Sequence, residues 1–166
     1  MKNLCLTVVI ALFCMIISNG VQAQTTQTKI DQLKLAQTHL VNTWQRVISK
    51  DSVQVSETQK YGNATVDNIY LVVNGKKTFQ FGITSVYSTK DDNFKSFWFY
   101  PNGSYSTLIG SFTAENKLSF NYVENFNPEK VLRKAERIND TPDSYTAIFY
   151  KPDGTKGREY KWTRVK

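Results

Sequence analysis

A mainly β fold, an antiparallel up-and-down barrel preceded by one short N-terminal helix, is what this 166-residue sequence predicts. Three observations predict it. Aromatic residues that favour strands are abundant and late: of 10 Phe, 9 Tyr and 3 Trp, all but Phe13, Trp44, Tyr61 and Tyr70 lie between Phe79 and Trp162. Turn signals recur at short intervals beyond Lys50. Leu118, Phe120 and Tyr122 alternate with Ser119 and Asn121, the period of two expected of a half-buried strand.

The chain opens with an export signature. Lys2 starts a short basic region, Leu4 to Ile17 is almost wholly apolar, and Val21-Gln22-Ala23 supplies the small residues that signal peptidase requires. Residues 1–23 therefore read as a signal peptide cleaved near Ala23, 24–28 as a polar, flexible N-terminus, and 29–166 as one barrel domain. The expected location is periplasmic or secreted. The apolar run falls short of the roughly 20 residues that span a bilayer and no second run follows, so no transmembrane segment is expected. Cys14 offers a lipid-anchored alternative, but Phe13 fits poorly where such sites need a small residue. Both cysteines, Cys5 and Cys14, fall in the cleaved segment, so packing rather than disulfides must stabilise the mature protein.

The elements follow in order. Ile30, Leu33, Ala36, Leu40 and Val41 recur at helical spacing, with Asp31, Lys34 and Gln37 off that stripe. The β-branched and aromatic content of Asn42 to Ile48 marks the first strand. Asn74-Gly75 separates Ile69-to-Val73 from Lys76-to-Thr84 as a two-residue hairpin turn. Pro101-Asn102-Gly103, Glu115-Asn116-Lys117 and Pro152-Asp153-Gly154 divide the later strands in the same manner. Asn127-Pro128-Glu129 suits a capped helical turn, and Val131 to Ile138 a strand with basic outer positions. Consecutive hairpins make a meander, and closing it leaves no strand edge unpaired.

A helix leading into Val41-Asn42-Thr43-Trp44, a long meander and a closing Tyr160-Lys161-Trp162-Thr163-Arg164 together resemble the lipocalin-like (calycin-type) barrels. More narrowly, the chain resembles the small lipocalin-like domains of unknown function in exported bacterial proteins. Lipocalins place a tryptophan in a Gly-x-Trp motif on the first strand and pack a late basic residue across its ring. By that resemblance Trp44 and Arg164 would close the barrel end, with a guanidinium over an indole. Asn42 stands where the motif has glycine.

Several chemistries are disfavoured by composition. A net charge of +7 invites nucleic acid as a partner, but the basic residues occur singly or in pairs such as Lys76-Lys77 and Arg133-Lys134, interleaved with acids, so no nucleic-acid partner is expected. After processing there is no cysteine, and His39, the single histidine, sits on the helix, where packing suits it better than catalysis. Gly103-Ser104-Tyr105-Ser106 lacks the closing glycine of a nucleophile elbow. No metal and no cofactor are expected, because a haem histidine would have to come from a strand and His39 precedes the first. An enzymatic reading would need Glu124, Glu136 or Asp140 buried in a cleft with a raised pKa.

What remains is binding. Barrels of about eight strands enclose side chains alone or one small ligand. Alternation turns Trp98, Tyr100, Phe120, Tyr122 and Tyr160 inward, and Arg133 is a candidate anchor for an anionic group. The expectation is a non-enzymatic exported protein holding a small lipophilic or amphipathic ligand. The alternative is a filled barrel that binds a protein or an envelope glycan through its surface, with Tyr61, Tyr70, Tyr87 and Tyr145 as material for the interface.

Overall fold

The computed structural model describes residues 30–166; the segment 1–23 expected to be a signal peptide and the polar stretch at 24–28 lie outside them. One helix, α1 (Gln32–His39), precedes ten strands: β1 (Thr43–Ser49), β2 (Ser52–Tyr61), β3 (Ala64–Val73), β4 (Lys76–Ser88), β5 (Asn93–Phe99), β6 (Tyr105–Ala114), β7 (Lys117–Glu124), β8 (Asn127–Thr141), β9 (Ser144–Tyr150) and β10 (Lys156–Arg164). Every strand pairs antiparallel with its neighbour in sequence, and β1 pairs with β10 to close the barrel. The fold is thus the predicted up-and-down barrel, with ten strands where a barrel of about eight was the frame of reference.

Turn chemistry explains the hairpins. Asn74 and Gly75 both take positive φ, 48° and 78°, the conformation that a two-residue hairpin demands. The β7–β8 connection uses the same device without a glycine, since Asn125 and Phe126 have φ of 49° and 59°. That places Asn127-Pro128-Glu129 at the start of β8 rather than in a helical turn, because the two-residue turn is complete at Phe126 and Glu124 pairs with Asn127.

The helix plugs one end of the barrel. Asp31 caps it by accepting from the Lys34 backbone N–H at 3.0 Å. Ala36 packs into a cluster with Phe94, Phe112 and Leu118, joined by Ile30, Leu40 and Phe120. Gln32 is buried, unusual for its type, because its amide makes both hydrogen bonds of a strand partner. Its Nε2 donates to the Phe112 carbonyl at 3.0 Å, and its Oε1 accepts from the Phe112 N–H at 2.6 Å.

Beside the helix, Trp44 is 1 % exposed and forms a second cluster with Tyr145 and Trp162. Arg164 stands opposite Trp44 in the β1–β10 register with its guanidinium 5.6 Å from the indole. A nearer cation also covers that ring: Arg137, at 4.9 Å. The seam itself is short. Trp44 pairs with Arg164 and Gln45 with Thr163, and the Val165 N–H donates to the Thr43 carbonyl at 2.9 Å, whereas beyond Gln45 no further residues of β1 and β10 pair.

Candidate binding cavity

Alternation along the strands brings one side chain in two into the barrel, and these do not fill it. A cavity of about 290 Å³ remains. Its apolar wall comes from Ile69, Phe81, Ile83, Trp98, Phe120 and Phe149. Phe81 stacks on Trp98 at 5.6 Å, and Trp98 meets Phe149 edge-on at 6.4 Å. Gln54, Ser56, Thr58, Asp67, Arg46 and Arg137 form a polar wall.

Of the residues expected to bind a ligand, Trp98, Phe120 and Tyr160 line this cavity together. Tyr122 is buried behind Trp98, with the exposed Arg133 guanidinium 4.2 Å from its ring, and burial pushes its phenol upward in pKa against the opposing Arg133 charge. Tyr100 packs against Phe81 at 5.5 Å. Tyr100, Tyr122 and Arg133 therefore stand around the cavity's aromatic wall rather than in its lining. The four tyrosines considered for a surface site do not form one. Tyr145 is buried inside the barrel, Tyr87 packs on Phe94, Tyr70 on Phe79, and Tyr61 is exposed by itself.

The acids singled out for an enzymatic reading also take other roles. Glu124 and Asp140 are exposed, Glu124 pairing with Lys130 and Asp140 accepting from Thr146. Partial burial alone would raise the Glu136 pKa, but hydrogen bonds from Lys117 and Tyr150 hold it below the ordinary carboxylate value. Among the described residues, no group of three or more His, Cys, Asp or Glu is placed to hold a metal ion. His39 lies against Phe112, its pKa lowered first by burial and then by the Arg137 charge.

The interior charges are the functional features that the sequence reading missed. Arg137 is deeply placed. Its Nη2 donates to the His39 carbonyl and its Nε to Asn139 Oδ1 at 3.1 Å, while its plane covers the Tyr145 ring at 3.5 Å. Asp67 faces the same space and accepts from Ser56 Oγ at 2.8 Å. Arg46 donates from Nε to Gln54 Oε1 at 2.7 Å and lies 3.8 Å from the Tyr160 ring and 5.5 Å from the Trp162 ring. With Tyr145 and Trp162 stacked at 5.8 Å, the wall becomes a ladder of Arg137, Tyr145, Trp162, Arg46 and Tyr160, in which each cation covers a ring and two rings stack between the cations. Strand parity holds the missing signal: if Trp44 points inward so does Arg46, and Arg137 shares its row with Ala135.

Burial drives the Asp67 carboxyl above its ordinary 3.8, against hydrogen bonds from Ser56 and Thr58 and the Arg137 charge, with Glu57 adding to the rise. Folding therefore favours its protonated form, and the cost to stability sets in as the pH rises above the ordinary value and is complete once the pH passes the folded pKa. Asp67→Asn keeps an oxygen for Ser56 and removes the charge. The variant is expected to melt above the wild type at pH 7, with the gain shrinking as the pH falls toward 3.8 in a series of thermal scans.

Chemically, this arrangement orients and holds. Two arginines and two acids, Asp67 and Glu136, border an aromatic pocket with neither His nor Cys in its lining. No protein-family model matches this sequence, and no curated protein matches it either.

Proposed function

We propose that this is an exported, lipocalin-like binding protein that holds a small amphipathic molecule inside its barrel. One observation carries the reading: the interior retains about 290 Å³ of space between aromatic walls and a few oriented polar groups, the composition of a ligand pocket. Its volume stands at the small end of the range for such pockets, roughly 300–1,000 Å³. The short helix, the one helix among the described residues, and the closed antiparallel barrel support the lipocalin-like comparison, as does the Trp44–Arg164 pairing across the seam.

Native mass spectrometry of protein exported by a bacterial host, with organic extraction of the same sample, tests the proposal. The expected result is a chain beginning at Gln24 that carries a discrete small added mass, lost on extraction. Protein that comes clean from several hosts and takes up no member of a small-molecule panel overturns the ligand reading.

A second reading, recognition of a protein or an envelope glycan at the surface, draws support from a row of rings on the outer face. Phe97 lies 6.4 Å from Phe99 and 5.3 Å from Tyr105, Phe99 lies 6.3 Å from Phe79, and both Phe97 and Tyr105 are exposed. Substituting Phe97 and Tyr105 together with Ser separates the two readings, since cavity binding survives that change and surface binding does not.

A further inference from the structure

We infer that the molecule held in the barrel is a compact carboxylate, with its apolar body against Phe81, Trp98 and Phe149 and its anionic head at Arg46 in the split between β1 and β10. This deepens the binding proposal and rests on it. The charges lining the cavity set the sign. Arg46, Arg137, Asp67 and Glu136 line one space, but the Glu136 carboxylate is already engaged by Lys117 and Tyr150, which leaves two cations against the one acid that has no lysine partner. Arg137 and Asp67 act on each other electrostatically, and Arg137 is further held by the His39 carbonyl and Asn139. Arg46 has no such counterweight. Its hydrogen-bond partner from β2, Gln54, is neutral, and among the described residues no carboxylate lies within 4.0 Å of its guanidinium. A desolvated cation without a counterion is costly, and an anionic ligand relieves that cost.

Position and shape support the same orientation. Arg46 is the first β1 residue beyond the last paired position of the seam, Gln45 with Thr163. Its guanidinium reaches across the split onto Tyr160 of β10 and is half-buried, so a bound head group there keeps part of its hydration. The stacking on Tyr160 and the bond to Gln54 fix the plane of the fork in advance, the preorganisation that favours two-pronged carboxylate recognition. Size limits the body. At about 30 Å³ per water-sized group, 290 Å³ accommodates on the order of ten non-hydrogen atoms, which suits an arylalkanoic or short-chain acid and excludes a long acyl chain lying wholly inside.

The test compares 3-phenylpropanoate with its neutral isostere 3-phenylpropanamide, using calorimetry and the fluorescence of Trp98 and Trp162, which line the cavity. On the wild-type protein the acid is expected to bind at least about tenfold more tightly than the amide. Arg46→Met is expected to abolish that preference while leaving amide binding within about twofold, and Arg46→Lys to restore part of it. Equal binding of acid and amide to the wild type overturns the carboxylate assignment and leaves the cavity reading standing. A preference for the acid that survives Arg46→Met overturns the placement of the head group. If neither compound binds while native protein carries an extractable neutral molecule, the carboxylate assignment fails alone; if neither binds and the protein comes clean, both fail.

Discussion

Trp44→Ala is expected to cost about 3–5 kcal/mol, the largest loss from any single truncation near the helix-plugged end of the barrel. The indole is almost fully excluded from solvent, meets Tyr145 edge-on at 4.9 Å, and donates from Nε1 to the Leu40 carbonyl at 3.3 Å, tying the strand to the end of the helix. Two cations also use its ring, and they are not equivalent. Arg137 lies nearer, at 4.9 Å, with its polar edge anchored on the His39 carbonyl, whereas Arg164 at 5.6 Å is partly exposed and paired with Asp143. Double-mutant cycles read from urea unfolding are expected to show stronger coupling for Trp44 with Arg137→Met than for Trp44 with Arg164→Met. Equal couplings would mean that the two cations are equivalent, and no coupling for either that the end is closed by apolar packing alone.

The second large effect is expected from a single added methyl group. Gly110→Ala would place Cβ 2.2 Å from Phe120 Cδ1 and 2.5 Å from the Ser119 carbonyl oxygen. The ring could swing aside, but the carbonyl belongs to the paired backbone of β7, so the ladder between β6 and β7 must shift. Overpacking of this kind costs about 1–3 kcal/mol, and the backbone clash puts Gly110→Ala at the upper end of that range. Phe120 joins the cluster beneath the helix to the one around Leu108 and also lines the cavity. The same variant should therefore lose ligand capacity along with stability. Gly82→Ala provides the comparison: the three atoms nearest its Cβ would all belong to the ring of Phe99, a side chain rather than paired backbone. Calorimetric melting of both variants is expected to rank Gly110→Ala well below Gly82→Ala.

The architecture was legible because turn chemistry is local. Asn74-Gly75 and Pro152-Asp153-Gly154 announce their hairpins in two or three residues, and the row Leu118, Phe120, Tyr122 reveals its inward face by alternation alone. The β7–β8 turn was obscure for the complementary reason. Phe126 occupies a left-handed conformation that its side chain disfavours, so nothing in Asn125-Phe126 signals a turn, and the proline that follows suggested a helical start instead. At the site, aromatic residues were the readable part and charges the unreadable one. Arg46 was not singled out and Arg137 fell in a strand with basic outer positions, because arginine is usually exposed. They lie inside because each has an aromatic face to cover and a polar partner for its edge, and such partners come from strands and a helix distant in sequence. Asp67 was passed over for the same reason: its inward position depends on Ser56, eleven residues away across a hairpin.

The short seam between β1 and β10 also orders the assembly of the molecule in time. Nine of the ten strand pairings join consecutive strands and form by closing short loops, whereas the tenth must bring together the two ends of the meander. Closing that loop carries the greatest chain-entropy cost and is rewarded by few backbone pairings, Trp44 with Arg164, Gln45 with Thr163 and the Val165 N–H on the Thr43 carbonyl. The meander should therefore fold first as an open, curling ribbon, with ring closure as its last step. In the finished protein the same seam is the weakest line in the wall. Backbone amides along Trp44 to Val47 should exchange with solvent sooner than those of β6 and β7, and the place where the barrel last shuts is the place where it most readily reopens.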